Sequence, residues 1–197
     1  MKKISETGRS MIEMLGVLSI IGVLSVGGLH VINSAREKQR QTQAVSDIAD
    51  FARRIKKLAC QYDDGYSSYN TFAYKSNAYP TNWTYSTSAK KFIDSNNLKY
   101  TLVDGVGVSG GKLMEPFAII VEGLPQKLCT ILAGNNWGNR HSSGFLGLSI
   151  KTTPGKASSY DVTPDSAVYP LPLSQAVQKC KSKTNNYLVL SYSGCRS

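Results

Sequence analysis

The sequence predicts an α+β protein: a long N-terminal helix, half transmembrane and half amphipathic, packed on a globular head with an antiparallel sheet. Three observations carry that expectation. No proline occurs before Pro80, so nothing breaks a helix in that stretch. Apolar residues then recur at three- and four-residue steps between residues 44 and 59, which is one face of a helix. Beyond Gln61, short β-branched and aromatic runs ending at glycine alternate with short helical stretches, as in a mixed head whose strands can pair antiparallel.

Taken in order, the chain of 197 residues has room for about one domain and an accessory element. Lys2 and Lys3 precede an apolar run, residues 14–32, that carries no formal charge. At about 1.5 Å per residue this run nearly spans a ~30 Å hydrocarbon layer, so a transmembrane helix with a cytoplasmic amino terminus is expected. The run is too long for the apolar core of a signal peptide and continues into an amphipathic helix. Its glycines Gly16, Gly22, Gly27 and Gly28 suit either close packing against copies of the same helix or ordinary glycine tolerance in a bilayer.

The amphipathic part carries Ala44, Val45, Ile48, Phe51, Ala52, Ile55, Leu58 and Ala59 on its apolar stripe, with Asp47, Asp50, Arg53, Arg54, Lys56 and Lys57 between them. One continuous helix is expected over residues 10–61, on the order of 80 Å long and too long for a compact head to cover.

The tyrosine- and serine-rich stretch after Gln61 reads as a long loop with short elements. Its tyrosines suit either a contact surface or a cover over the helix. A short helix is expected over residues 90–96. KYTLVDG, FAIIVEG, GFLGLSIK and YLVLSYSG read as strands. PQKLCTILAG reads as a helix with Pro125 in its first turn and Gly134 beyond its end, and LSQAVQKC as a helix capped by Ser174.

The formal charge of +10 favours attraction to polyanions, though solubility and pairing between subunits account for it equally simply. No basic run interleaved with aromatics sharpens a DNA reading. Four cysteines, Cys60, Cys129, Cys180 and Cys195, all follow the apolar run. In an oxidising compartment they would form two disulfides, with three possible connectivities. No C-x-x-C spacing occurs and the histidines are His30 and His141, so no metal or cofactor site is expected. The sequence has no G-x-S-x-G, no H-E-x-x-H and no phosphate-cradling glycine loop. Asp63, Asp64, Asp104, Glu115 and Glu122 supply carboxylates without a defined pair. An enzyme is not expected.

Glu13 is the remaining anomaly, a carboxylate at the start of the apolar run. At the headgroup level it costs little, but in a protein-packed apolar core it requires a cation. Gly8, Arg9 and Glu13, the fifth residue after the glycine, followed by an unbroken apolar helix, resemble the processing motif of type IV prepilins. The resemblance implies a leader over residues 1–8 and cleavage between Gly8 and Arg9 by prepilin peptidase, which also methylates the amine of Arg9. It further implies a filament-core helix over 9–34, the amphipathic half of the same helix over 35–61 and a head over 62–197. Glu13 would pair with the amino terminus of a neighbouring subunit and set axial register. Arg9 departs from the phenylalanine or methionine usual at that place in the family.

The segments around Cys129 and Cys180 resemble the carboxy-terminal region of type IVb pilins. That resemblance implies Cys129–Cys180 and, for the remaining pair, Cys60–Cys195; the rival is Cys60 with Cys129 and Cys180 with Cys195. Residues 137–163 would form an exposed, variable patch. The leaders of that subclass are usually longer than eight residues.

The function implied is that of a major pilin. It would be held in the bacterial inner membrane as a precursor and then polymerised by the pilus assembly machinery into an extracellular homo-oligomeric filament for adhesion, aggregation, motility or conjugation. The alternative is a minor pilin or pseudopilin of a DNA-uptake or type II secretion apparatus. Its basic surface would then bind DNA or acidic groups at cell surfaces.

Overall fold

The structure is a computed structural model that describes residues 7–61, 68–104, 116–139, 141–151 and 169–194, the side chains of residues 7–13, 20–31, 59 and 104 excepted. The chain forms two compact units, Met1–Thr42 and Gln43–Ser197. Helix α1, Thr7–Ala59, is unbroken over 53 residues, as the absence of proline predicts. Among the described residues no helix is long and apolar enough to cross a membrane. Most of the apolar run, residues 20–31, lies outside the described side chains.

Within the first unit every described side chain is exposed or half-buried, including Met14, Leu15, Val17 and Leu18. The second unit holds the core. Ile48, Phe51, Ala52 and Ile55 of α1 are buried there, at the spacing that marks one helical face. Phe51 meets the rings of Trp83 and Phe92 edge-on, with centroids 5.0 and 5.3 Å away.

The sheet contains β1 (Thr84–Ser86), β2 (Lys91–Ile93), β3 (Lys99–Asp104), β4 (Phe117–Leu124), β5 (Phe145–Lys151) and β6 (Asn186–Tyr192). Their order is β1-β2-β3-β4-β6-β5, and every pair is antiparallel. The last strand therefore enters between β4 and β5, with Ile119 and Leu148 both opposite Leu190. All seven residues of β6 are buried, as expected of a central strand covered on both faces. The register shifts between Val121 and Leu124, where Gly123 has φ +79°, a conformation open to glycine at a bulge.

Three short helices complete the head: α2 (Tyr69–Lys75), α3 (Gln126–Ala133) and α4 (Leu173–Lys179). Ser68 caps α2 by accepting a hydrogen bond from the Thr71 amide. Tyr69 of α2 is buried whereas Tyr74 is 40% exposed, so the tyrosine-rich stretch contributes to the core as well as to the surface.

Four local expectations are corrected. Residues 90–96 are not helical: Lys90 has φ 52° and residues 91–93 form β2. Asp94 then closes the turn to β3, its Oδ1 accepting from the amides of Asn96 and Leu98 at 2.8 and 2.9 Å, an aspartate turn that competes with helix. Ser174 lies inside α4 rather than capping it, because Pro172 already stands at the N-cap. Pro125 likewise stands at the N-cap of α3, not in its first turn. Trp137, expected on an exposed patch, is buried and its indole N–H donates to the Leu132 carbonyl at 2.9 Å.

Candidate functional site

Three parts of the molecule bear on function: the start of α1, the disulfide-bounded region, and a cleft beside the buried face of α1. Gly8, Arg9 and Glu13 all lie on the helical backbone of α1. Their side chains lie outside the described residues, so the cleavage, methylation and register roles remain expectations of the sequence.

Cys129 on α3 and Cys180 at the end of α4 are joined, with Cα atoms 5.9 Å apart across a sequence separation of 51. Both are fully buried. Asn186 backs this region: its Nδ2 donates to the carbonyls of Leu124 and Ser182, at 3.0 and 2.6 Å, and its Oδ1 accepts from the Ser182 amide. A buried amide so fully satisfied fixes the chain between α4 and β6 against the end of β4. Cys60 is also disulfide-bonded; Cys195, the partner implied by resemblance, lies outside the described residues.

Glu122 and Asp94 have structural partners. Glu122 on β4 forms an ion pair with Lys91 on β2 at 2.7 Å. Asp94 accepts from the Tyr100 hydroxyl at 3.0 Å, and burial together with that carboxylate pushes the Tyr100 phenol well above its ordinary pKa. Asp104 lies on β3 opposite Phe117 in the backbone register, and its side chain lies outside the described residues. Asp63, Asp64 and Glu115 lie outside the described residues. Among the described residues no group of three or more histidines, cysteines or carboxylates is placed to hold a metal. His141 sits on an exposed turn.

The cleft has a volume of about 910 Å³ and runs between α1 and the turns after α3 and before β5. Its α1 wall carries Asp47, Asp50, Arg53, Lys56 and Lys57; the opposite wall carries Asn135, Asn136, Ser142 and Ser143. Both acids are engaged. Asp50 binds Arg53 and Arg54 at 2.5 and 2.6 Å, and the Arg53 hydrogen bond above all holds its carboxyl below the usual range. Asp47 accepts from the Asn82 amide at 2.8 Å and from the Trp83 indole at 3.4 Å.

Lys56 is half-buried, and its Nζ donates to the Ser193 hydroxyl at 3.2 Å. Ser193 in turn donates its amide to the Gly144 carbonyl at 2.7 Å. Gly144 has φ +79°, and a Cβ there would run into Lys56 Nζ and Ser193 Oγ. Only glycine allows this turn to approach the lysine so closely. The helical pattern places Lys56 among the charges that fall between the apolar positions. The available signal was its four-residue step from Ala52, which places it on the flank of the buried stripe.

No family model matches this chain, and no curated protein matches it. Among solved structures it is similar to the crystal structure of type IV b pilin from Salmonella typhi, with 15% sequence identity and a TM-score of 0.51 over 76% of this chain and 97% of that one. The fold is therefore that of a type IV pilin: a long N-terminal helix and an α+β head with an antiparallel sheet.

Proposed function

We propose that this chain is the major subunit of a type IV pilus, assembling through its N-terminal helix into an extracellular homo-oligomeric filament. The observation that carries the reading is the exposure of Met14, Leu15, Val17 and Leu18, at 56% or more each, on a chain with the pilin fold. Four large apolar side chains left uncovered on one helix call for lipid or another protein surface. A filament supplies the second after a bilayer has supplied the first. In this reading prepilin peptidase cleaves after Gly8 and methylates Arg9, and the assembly machinery of the inner membrane extracts the subunit. Glu13 then pairs with the new amino terminus of a neighbour, favourable only once docked, so that it selects one axial register.

Mass spectrometry of filaments sheared from the cell surface tests this. The expected result is an abundant chain beginning at methylated Arg9 that disappears from the sheared fraction in a Glu13→Ala strain while the membrane fraction is unchanged. Normal filaments with alanine at that place reject the register role. Surface filaments free of this chain reject the major-subunit reading.

The charge of +10 favours one second reading, a minor pilin or pseudopilin of a DNA-uptake or type II secretion apparatus. That reading requires low abundance in the sheared fraction and, for the DNA-uptake form, duplex affinity falling steeply with salt.

A further inference from the structure

We infer that the cleft beside α1 is a binding site for an acidic saccharide, a uronate- or sialate-type sugar whose carboxylate is seated by Lys56. Both carboxylates in the cleft are already engaged, Asp50 by two arginines and Asp47 by Asn82 and Trp83. Lys56 is half-buried and has the Ser193 hydroxyl as its hydrogen-bond partner, which leaves two of its three donor hydrogens directed elsewhere. Also lining the cleft, Asn135 makes no side-chain hydrogen bond and Asn136 makes one, its Oδ1 accepting from the Gly138 amide, among the described residues. A cation and two amides around a space of about 910 Å³ present the donors that a carboxylate with neighbouring hydroxyls accepts from.

The alternative polyanion, nucleic acid, fits less well. Single strands bind through bases stacked on aromatic faces, and the rings at this cleft are not available. Trp137 is 7% exposed with its N–H committed to Leu132, and Tyr192 is 3% exposed. The positive φ of Gly144, which lets that turn close on Lys56, fixes the lysine in place before any ligand arrives, so little side-chain freedom is lost on binding. The inference is independent of filament assembly. A head that holds the sugar without polymerising preserves it, and a filament indifferent to the sugar rejects it alone.

The test is fluorescence anisotropy of a labelled oligogalacturonate decamer titrated with the full chain in non-ionic detergent. Lys56→Gln and Asn135→Ala are compared with Lys99→Gln, a change of equal charge at an exposed position of β3, and the melting temperature of each variant is followed. The decamer is expected to bind, with Lys56→Gln weakening it about tenfold or more, as loss of a charged hydrogen bond implies. Asn135→Ala should weaken it less, and Lys99→Gln should leave it unchanged at an unaltered melting temperature. Three outcomes overturn the proposal: no binding of the decamer, equal losses for Lys56→Gln and Lys99→Gln, or displacement of the decamer by duplex DNA with the same dependence on Lys56. A neutral galactose oligomer that binds equally well also overturns it, since the carboxylate would then play no part.

Discussion

Leu15 and Leu18 of α1 are 63% and 61% exposed, whereas Ile48, Phe51 and Ile55 of the same helix are wholly buried. Both stretches are helical and carry residues of similar size. The difference lies in what their own chain provides. The second stretch is covered by the rings of Trp83 and Phe92 and by the sheet, which removes its apolar surface from water. Each fully buried side chain of this size contributes roughly 1.5–3 kcal/mol. Leu15 and Leu18 have no comparable cover among the described residues, and most helical stability in proteins comes from such packing. In the proposed function that cover comes from a bilayer and then from copies of the same helix.

Truncation should separate the two stretches most sharply. Phe51→Ala is expected to cost about 3–5 kcal/mol of head stability through the cavity it leaves. Leu15→Ala with Leu18→Ala should leave denaturant unfolding of the head unchanged. Unfolding of the full chain followed by Trp83 and Trp137 fluorescence makes the comparison, and equal losses would break it.

The disulfide comes next. Closing a loop of 51 residues restricts the unfolded chain by about 4 kcal/mol in the loop-entropy relation. Replacing Cys129 and Cys180 together by serine should therefore lower the stability of the head by roughly 2–4 kcal/mol, seen as a reduced denaturation midpoint. The stretch before Thr42 should not register the change.

Much of this contrast was legible in the sequence. The step pattern of Ile48, Phe51, Ala52 and Ile55 marked the buried stripe, the run FAIIVEG marked a strand, and the absence of proline marked the long helix. What escaped was set by tertiary contacts. Residues 91–93 form a strand because β1 and β3 flank them and Asp94 turns the chain, although the local composition reads equally well as helix. Trp137 is buried because its indole finds a carbonyl at the end of α3, which composition cannot reveal. The cleft depends on Lys56 of α1 meeting the segment that holds Asn135 and Gly144, distant from it in sequence. No motif announces such a site.

Alkaline pH probes the buried side of the comparison more gently. Burial raises the pKa of Tyr100 and Tyr192 above the ordinary phenol value of 10.0. Above pH 10 the folded state consequently binds more protons than the unfolded one, so head stability should fall as pH rises past that point. Tyr100→Phe should flatten part of this slope in melts recorded between pH 9 and 11, at a cost near neutrality of about 1 kcal/mol for the lost hydrogen bond to Asp94. A slope unchanged by the substitution would contradict the assignment.

The smallest effect belongs to the exposed charges of α1. Asp50, depressed by its arginines, favours folding above the carboxylate range and loses that contribution as pH falls through its lowered value. Arg53 and Arg54 are 79% and 45% exposed at the side chain, so solvent screens the pair. Asp50→Asn should change stability by less than about 1 kcal/mol at pH 7, measured by the same unfolding transition.

Cross-linking at Leu18 tests most directly where the uncovered stretch finds its partners. A Leu18→Cys chain, treated with a bismaleimide in filaments sheared from cells, should yield abundant covalent dimers, the largest product that one added thiol per chain allows. Monomers alone, or dimers confined to the inner membrane with none from surface material, would contradict the proposal that copies of this helix cover one another.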